Sequence, residues 1–496
     1  MNDFAKALRC YVRKLNIKIQ SLASTSGVDR TLIQKMMKGE RVPADPIVVD
    51  RLLNVLMLTP GQAEEFRNLY HIARIGKSIY TRHLLVKQLL ESFGDYSESD
   101  TPLVKTEYQH QFLESSDTII LNDSHEVNHI VKTVLEAEFM NPKGDIKLII
   151  QPEYTFLIEL ISILGDNNPS AKFEHIFFLQ KSVLEEDENK YNLNCIQNIV
   201  PLLISSCEYS PRIYYEEIST HVTNTSVLPY LILTRDKVIS LSHDYSHGIF
   251  YQNASAYRFF SMIYDSILLL TTPLLQKFTS PMDYYSYYTE LETGYETKDS
   301  SLGFQYSLFS QPCMMFFLTE QLVNKYIYDF PQKKDLINLT ITRSKAYLSM
   351  LKQGREFTSF FSLAGLEDFF NTGRITEIPQ IFYSPVKQED CVLLLKQLHD
   401  YSLNGSYQLH LINSDKFRIS PNLIISAISK SSISFMYVHP RKGEIHFTLN
   451  EKSISHSIYT FLEYMTGSDM IYTKAQTLSV LKRKIDEYTK RMDHTA

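Results

Sequence analysis

Residues 125–129, His-Glu-Val-Asn-His, spell H-E-x-x-H. On a helix this spacing sets two imidazoles on one face for a zinc ion, with a carboxylate beside them to activate water. Three features favour a plain surface helix. Asp123 or Ser124 reads as the helix N-cap, which puts His125 in the first turn. Ile130, Val131, Val134 and Leu135 continue an ordinary amphipathic face. Glu136 and Glu138 follow too closely to serve as a third ligand. A zinc peptidase built on His125, Glu126 and His129 is therefore the alternative reading. His243 and His247 are four apart but read as part of the loop after a strand. His439 and His446 flank a turn and read as surface residues. There is no G-x-x-x-x-G-K-[ST] phosphate loop, no G-x-G-x-x-G and no G-x-S-x-G elbow, and glycine is sparse at 16 of 496 residues. No catalytic residue, metal ligand or cofactor is assigned, and the chain is expected not to be an enzyme.

What remains is charge. Residues 1–90 carry fifteen Lys/Arg against seven Asp/Glu, a surplus of eight positive charges. The overall formal charge is -6, so the rest of the chain carries -14. A basic head on an acidic body suits a polyanionic partner for the head alone. The five cysteines are scattered and include no C-x-x-C pair, which fits a reducing, cytoplasmic setting. The first residues lack a basic patch and apolar core, so no signal peptide is read. No run approaches the roughly 18 apolar residues of a membrane span.

The elements that would carry the head's charge are short helices. Phe4, Leu8, Tyr11, Val12 and Leu15 recur at helical spacing, and Ile19, Leu22 and Ala23 continue it on a second helix. Gly27 breaks the pattern where a left-handed residue is cheapest. Asp29 can cap the next helix. There Leu32, Ile33 and Met36 face inward, while Arg30, Thr31, Gln34, Lys35 and Lys38 face outward. Thr59-Pro60-Gly61-Gln62 has capping-box spacing with proline in the first turn.

Residues 1–75 resemble the Xre/Cro-type, lambda-repressor-like helix-turn-helix family. The resemblance rests on Leu22-Ala23, Gly27-Val28, Ile33 and Gly39-x-Arg41-x-Pro43. It implies that the helix after Asp29 enters the major groove by its N-terminal half. Arg30, Thr31, Gln34 and Lys35 would then read base edges, with Lys18, Lys38 and Arg41 near phosphates. One departure is Ile19, where the family often has a phosphate-touching glutamine. Gln20 is one step off, and Lys18 could replace it.

Beyond residues 76–117, read as a helical connector with a polar linker at 94–102, the pattern turns α/β. Strand runs at 146–150 and 175–179 alternate with helices. A hairpin at 230–242 precedes a helix with Ala256, Phe259, Phe260, Ile263, Ile267 and Leu270 on one face. Strands at 431–439 and 444–449 precede another helix, so hairpin-then-helix occurs twice. Residues 118–280 and 386–496 thus read as two related lobes around a mostly helical middle region, 281–385. Tyr284, Tyr285, Tyr287 and Tyr288 read as core packing. The last helix has Leu478, Leu481, Ile485 and Tyr488 near heptad spacing, for pairing with a second copy or capping the body. Each lobe weakly resembles the phospholipase-D-like fold, which some regulators use for sensing without catalysis. The enzymes of that family need H-x-K-x-x-x-x-D, and none of the fifteen histidines here is followed by lysine two places on. The resemblance therefore implies a catalytically empty body.

The resulting expectation is a multidomain chain: an all-α helix-turn-helix head on a large α/β body with two lobes. It is a homodimeric, cytoplasmic, sequence-specific DNA-binding transcription regulator. Its partners are double-stranded DNA and a small-molecule or peptide effector, not a membrane. A protein-interaction scaffold of the defence or antitoxin type is a further alternative.

Overall fold

The computed structural model describes residues 1–94, 117–181, 190–205, 207–215, 227–278, 280–294, 305–403, 405, 407–439 and 443–495. The linker read at 94–102, all but its first residue, and the turn at 440–442 lie outside them. Within the described residues the chain is mixed α/β, with two sheets and seventeen α-helices.

The basic segment folds into α1 (Asp3–Lys14), α2 (Ile19–Ser26), α3 (Arg30–Lys38), α4 (Pro46–Leu56) and α5 (Pro60–Ile75). Its polar residues act as punctuation. The Asp29 carboxylate accepts from the Leu32 amide at 2.9 Å, and Thr59 and Gln62 form a reciprocal capping box. Gly27 and Gly39 close α2 and α3 at φ 66° and 78°, where a side chain would be strained. Phe4, Leu8, Leu22, Ile33, Met36, Leu52, Phe66 and Tyr70 are buried together, so the five helices close around a core of their own.

α6 (Lys77–Ser92) is more than a connector. Val86, Leu89 and Leu90, with Phe93 just beyond, are buried in the core shared by the two sheets. The helix packs between α9 (Lys190–Ile204) and α16 (Lys452–Met465). Its basic residues alternate with apolar ones, and one face is sequestered in that core.

The first sheet runs β1 (Thr118–Leu121), β7 (Gly248–Tyr251), β6 (Val238–Leu241), β5 (Tyr230–Leu233), β2 (Asp145–Ile149), β3 (Lys172–Leu179), β4 (Glu208–Tyr215) and β8 (Thr272–Pro273). β2, β3 and β4 are parallel neighbours, crossed by α8 (Thr155–Asn167) and α9. One sheet face meets the shared core, and α10 (Ala254–Leu268) covers the other. Of the face expected of α10, Phe260 and Ile267 pack against the sheet, but Phe259 and Leu270 do not. Tyr264 is buried, whereas Phe259, Met262, Leu269 and Leu270 are 60–86% exposed. Phe259, Met262 and Ile263 make its apolar part wider than the strip the sheet covers, so spacing alone assigns too broad a face.

The second sheet runs β12 (Tyr407–Leu411), β11 (Phe357–Phe361), β10 (Gln305–Leu308), β13 (Leu423–Ser429), β14 (Ser432–His439), β15 (Gly443–Leu449) and β9 (Leu275–Lys277). β10 and β11 are two interior strands set in a middle stretch that is otherwise mostly helical. α11 (Pro281–Gly294), α12 (Glu320–Tyr326), α13 (Lys333–Lys352), α14 (Leu363–Thr372) and α15 (Gln388–Leu403) pack with α17 (Lys474–Thr495) in the second core. Tyr285 and Tyr288 are buried as expected, and Leu481, Ile485 and Tyr488 seat α17 on the body. His439 and His446 are corrected too. They are 2% and 4% exposed, because the register of β14 and β15 turns them inward.

Leu274 joins the sheets. It separates β8 in the first from β9 in the second and is fully buried. Its amide donates to Pro211 O at 3.0 Å, and its carbonyl accepts from the Asn450 amide at 2.9 Å.

Candidate functional site at the head–body junction

α5 and α6 meet at Gly76, φ 87°, and form a helical corner against α16. Where the corner meets α16 there is a cavity of about 430 Å³. From the head come Ala63, Glu64, Arg67, Asn68 and His71. From α6 come Tyr80, His83, Leu84 and Lys87, and from the body Asp415, Lys416, Phe461, Tyr464, Asp469 and Met470. That size lies in the range of small-molecule sites.

The walls are held by hydrogen bonds. The Tyr464 hydroxyl pairs with His71 Nδ1 at 2.7 Å, and the Tyr80 hydroxyl donates to Asn68 Oδ1 at 2.6 Å. The Tyr80 ring lies parallel to His71, 2° apart at 5.8 Å. Arg74 donates to Gly467 O at 3.4 Å, a second tie from α5 to the body. His83 is different. It is 5% exposed and faces Tyr464 at 4.7 Å, and neither ring nitrogen has a hydrogen-bond partner. An unpaired buried polar group costs about 1–3 kcal/mol. Burial holds the His83 pKa down to about 4, with Arg82 adding in the same direction, so the ring is neutral at pH 7. Burial also lowers that of His71.

The residues singled out in the sequence lie elsewhere. Arg30, Thr31, Lys35 and Lys38 are exposed on α3 and Gln34 is half-buried beside them, with Lys18 and Arg41 exposed on the flanking turns. Lys38 makes a surface ion pair with Glu40 at 3.8 Å. At the H-E-x-x-H stretch, Asp123 caps α7 (Ser124–Phe139) by accepting from the His125 and Glu126 amides. The Glu126 carboxylate reaches back to the Asn122 amide at 2.8 Å, which makes it a capping group. Among the described residues no three His, Cys, Asp or Glu side chains are grouped to hold a metal. His247 Nδ1 lies 2.6 Å from Ser246 Oγ in a loop where Ser242 and Ser246 hydroxyls hold the Asp244 carboxyl well below the usual range. No signal in the sequence singled out His83. A lone histidine on an amphipathic helix carries no motif, and its neighbour Tyr464 lies far along the chain.

No family model and no curated protein matches the chain. Among solved structures, the phosphatidylserine synthase of Haemophilus influenzae Rd KW20 is similar at 10% identity and a TM-score of 0.24, over 76% of this chain and 94% of that one. The polyphosphate kinase of Porphyromonas gingivalis is similar at 11% identity and a TM-score of 0.22, over 86% of this chain. The chain spans 65% of that kinase's length. Both neighbours are named as enzymes, which runs against the expectation of a DNA-binding regulator without enzymatic activity. At these scores and identities the likeness gives this chain no reaction, substrate or residue. No helix among the described residues is long and apolar enough to cross a membrane.

Proposed function

We propose that this is a ligand-binding protein whose small-molecule site is the cavity between the basic helical head and the two-lobed body. The observation that carries this reading is the cavity itself, about 430 Å³, lined by His71, Tyr80, His83 and Tyr464 where the head meets the body. Two segments of the first 90 residues, α5 and α6, and one helix of the body, α16, build that wall. A ligand seated there touches both parts at once, and its binding energy is added to the contacts that dock the head. The test is ligand-observed NMR of the full chain with neutral, cationic and anionic fragments, repeated on His83→Phe. Fragments whose binding His83→Phe removes are expected. A panel with no His83-dependent binder would overturn the reading.

A second reading concerns the head's partner. The exposed row Arg30, Thr31, Gln34 and Lys35, with Lys18, Lys38 and Arg41 around it, is proposed to contact the phosphates and base edges of double-stranded DNA. Its support is the surplus of eight positive charges in residues 1–90 and the outward placement of these side chains. Fluorescence anisotropy with a labelled 30-base-pair duplex should show salt-sensitive binding. Arg30→Ala with Lys35→Ala should weaken it about tenfold or more and flatten the salt slope. Equal binding by the parent and the double variant would refute the assignment.

A further inference from the structure

The homodimer expected from the sequence needs a surface. The heptad residues of the last helix do not supply it, because Leu481, Ile485 and Tyr488 seat α17 on the body. We propose that α10 supplies it, by pairing antiparallel with the α10 of a second copy of this chain about a two-fold axis. The proposal is independent of the junction cavity.

Spacing comes first. α10 buries Tyr264 and rests Tyr257, Phe260 and Ile267 on the sheet. The side turned away carries Ser255, Phe259, Met262, Ser266 and Leu269, all exposed. Their steps of four, three, four and three residues are the seam of a heptad repeat, the pattern by which two helices interlock. Phe259 and Met262 supply the bulk at the middle of the seam, and the small Ser255 and Ser266 stand on either side of them. Charge then selects the occupant and its direction. One rim of the seam is apolar, Ile263 and Leu270. The other carries Arg258 and Asp265, exposed and two turns apart. A two-fold axis across the seam turns the second helix end for end and lays each rim against its own copy. With Phe259 registered against Met262 of the second copy, Ser255 meets Ser266 and Arg258 comes beside Asp265, each contact being made twice. A parallel pair would instead lay the charged rim along the apolar one. Asp265 is paired with Lys147 at 3.3 Å, yet its side chain is 58% exposed and can accept from a second cation. Arg258 reaches back to Ala254 O through Nε at 3.3 Å, so its terminal nitrogens would make the new pair.

Helices this short bury less than the roughly 1,200–2,000 Å² of a standard interface, so a micromolar dimer is expected. Sedimentation velocity of the full chain at concentrations on the order of 1 to 100 μM brackets that range. The parent should pass from monomer to dimer, and Met262→Asp, at a position already in solvent, should stay monomeric. Arg258→Asp and Asp265→Arg should each weaken the dimer about tenfold, because like charges then face each other at both crossings. The two changes together restore opposite charges and should return the affinity close to that of the parent, which separates a contact from a folding defect. A parent that stays monomeric throughout would overturn the proposal. So would a dimer indifferent to Met262→Asp, or a double reversal no tighter than the single ones.

Discussion

Removing the carboxylate of Glu292 will destabilise the second lobe by about 3–5 kcal/mol, the usual consequence of stripping one partner from a buried ion pair. Glu292 on α11 and Arg343 on α13 have side chains 1% and 5% exposed, and the guanidinium Nε lies 2.7 Å from the carboxylate. A second guanidinium nitrogen reaches the other oxygen at 3.3 Å, and the Tyr347 hydroxyl also donates to Glu292. Above the guanidinium stand the Tyr285 and Tyr288 rings, 4.9 and 5.0 Å away. With Glu292→Ala, Arg343 keeps its charge in a buried site stripped of its counter-ion, so α11 should lift from α13. Replacing both residues, as in Glu292→Leu with Arg343→Met, should recover most of the loss, because the desolvation cost disappears with the charges. Hydrogen exchange across α11 and α13 is the suitable readout, since a chain of several units does not unfold in one step. Single variants within about 1 kcal/mol of the parent would show that the pair is inconsequential.

Acid should weaken the whole molecule well before its carboxylates titrate. Burial holds His83, His175 and His410 down to about 4, and Lys474 adds to the effect at His410. In the unfolded chain each returns to the ordinary histidine value of about 6.5. Between those values the unfolded chain binds protons that the folded chain refuses, so stability rises with pH. The contribution is complete above about 6.5 and is lost progressively as pH falls through 4. From pH 6.5 to 5 each histidine costs about 1.6 kcal/mol, roughly 5 kcal/mol for the three. Glu377 works in the opposite sense, because burial raises its carboxyl. Guanidinium melts at pH 7 and pH 5 measure the difference, and His83→Phe should remove about a third of it. Identical midpoints at the two pH values would sink the account.

Much of the local structure was legible in the chain. The caps Asp29 and Thr59, the stops at Gly27 and Gly39, and the strand runs that became β2, β3, β5, β6, β14 and β15 are set by residues near one another in sequence. The rest depended on distant partners. β10 is four residues, Gln305–Leu308, and is a strand because β11 and β13 flank it. α10 has more apolar residues than the sheet covers, so the sheet beneath it decides that Tyr264 goes in while Phe259 and Met262 stay out. α6 carries lysines and an arginine like a surface helix, and its burial depends on α9 and α16, which arrive much later. The junction site was hidden for the same reason: His83 meets Tyr464 and Phe461 only after both lobes have formed.

The bridge at Leu274 has a consequence for how the protein can be divided. One residue donates its amide to one sheet and offers its carbonyl to the other, so no spacer separates the lobes there. A cut there would leave β8 with the first sheet and β9 with the second, yet it would bare the apolar core that residues of both sheets share. The two lobes are in that sense a single object for proteases, for domain shuffling and for gene truncation, despite having two sheets. The five-helix head, with a core of its own, could be traded at Gly76 more cheaply than one lobe could be parted from the other.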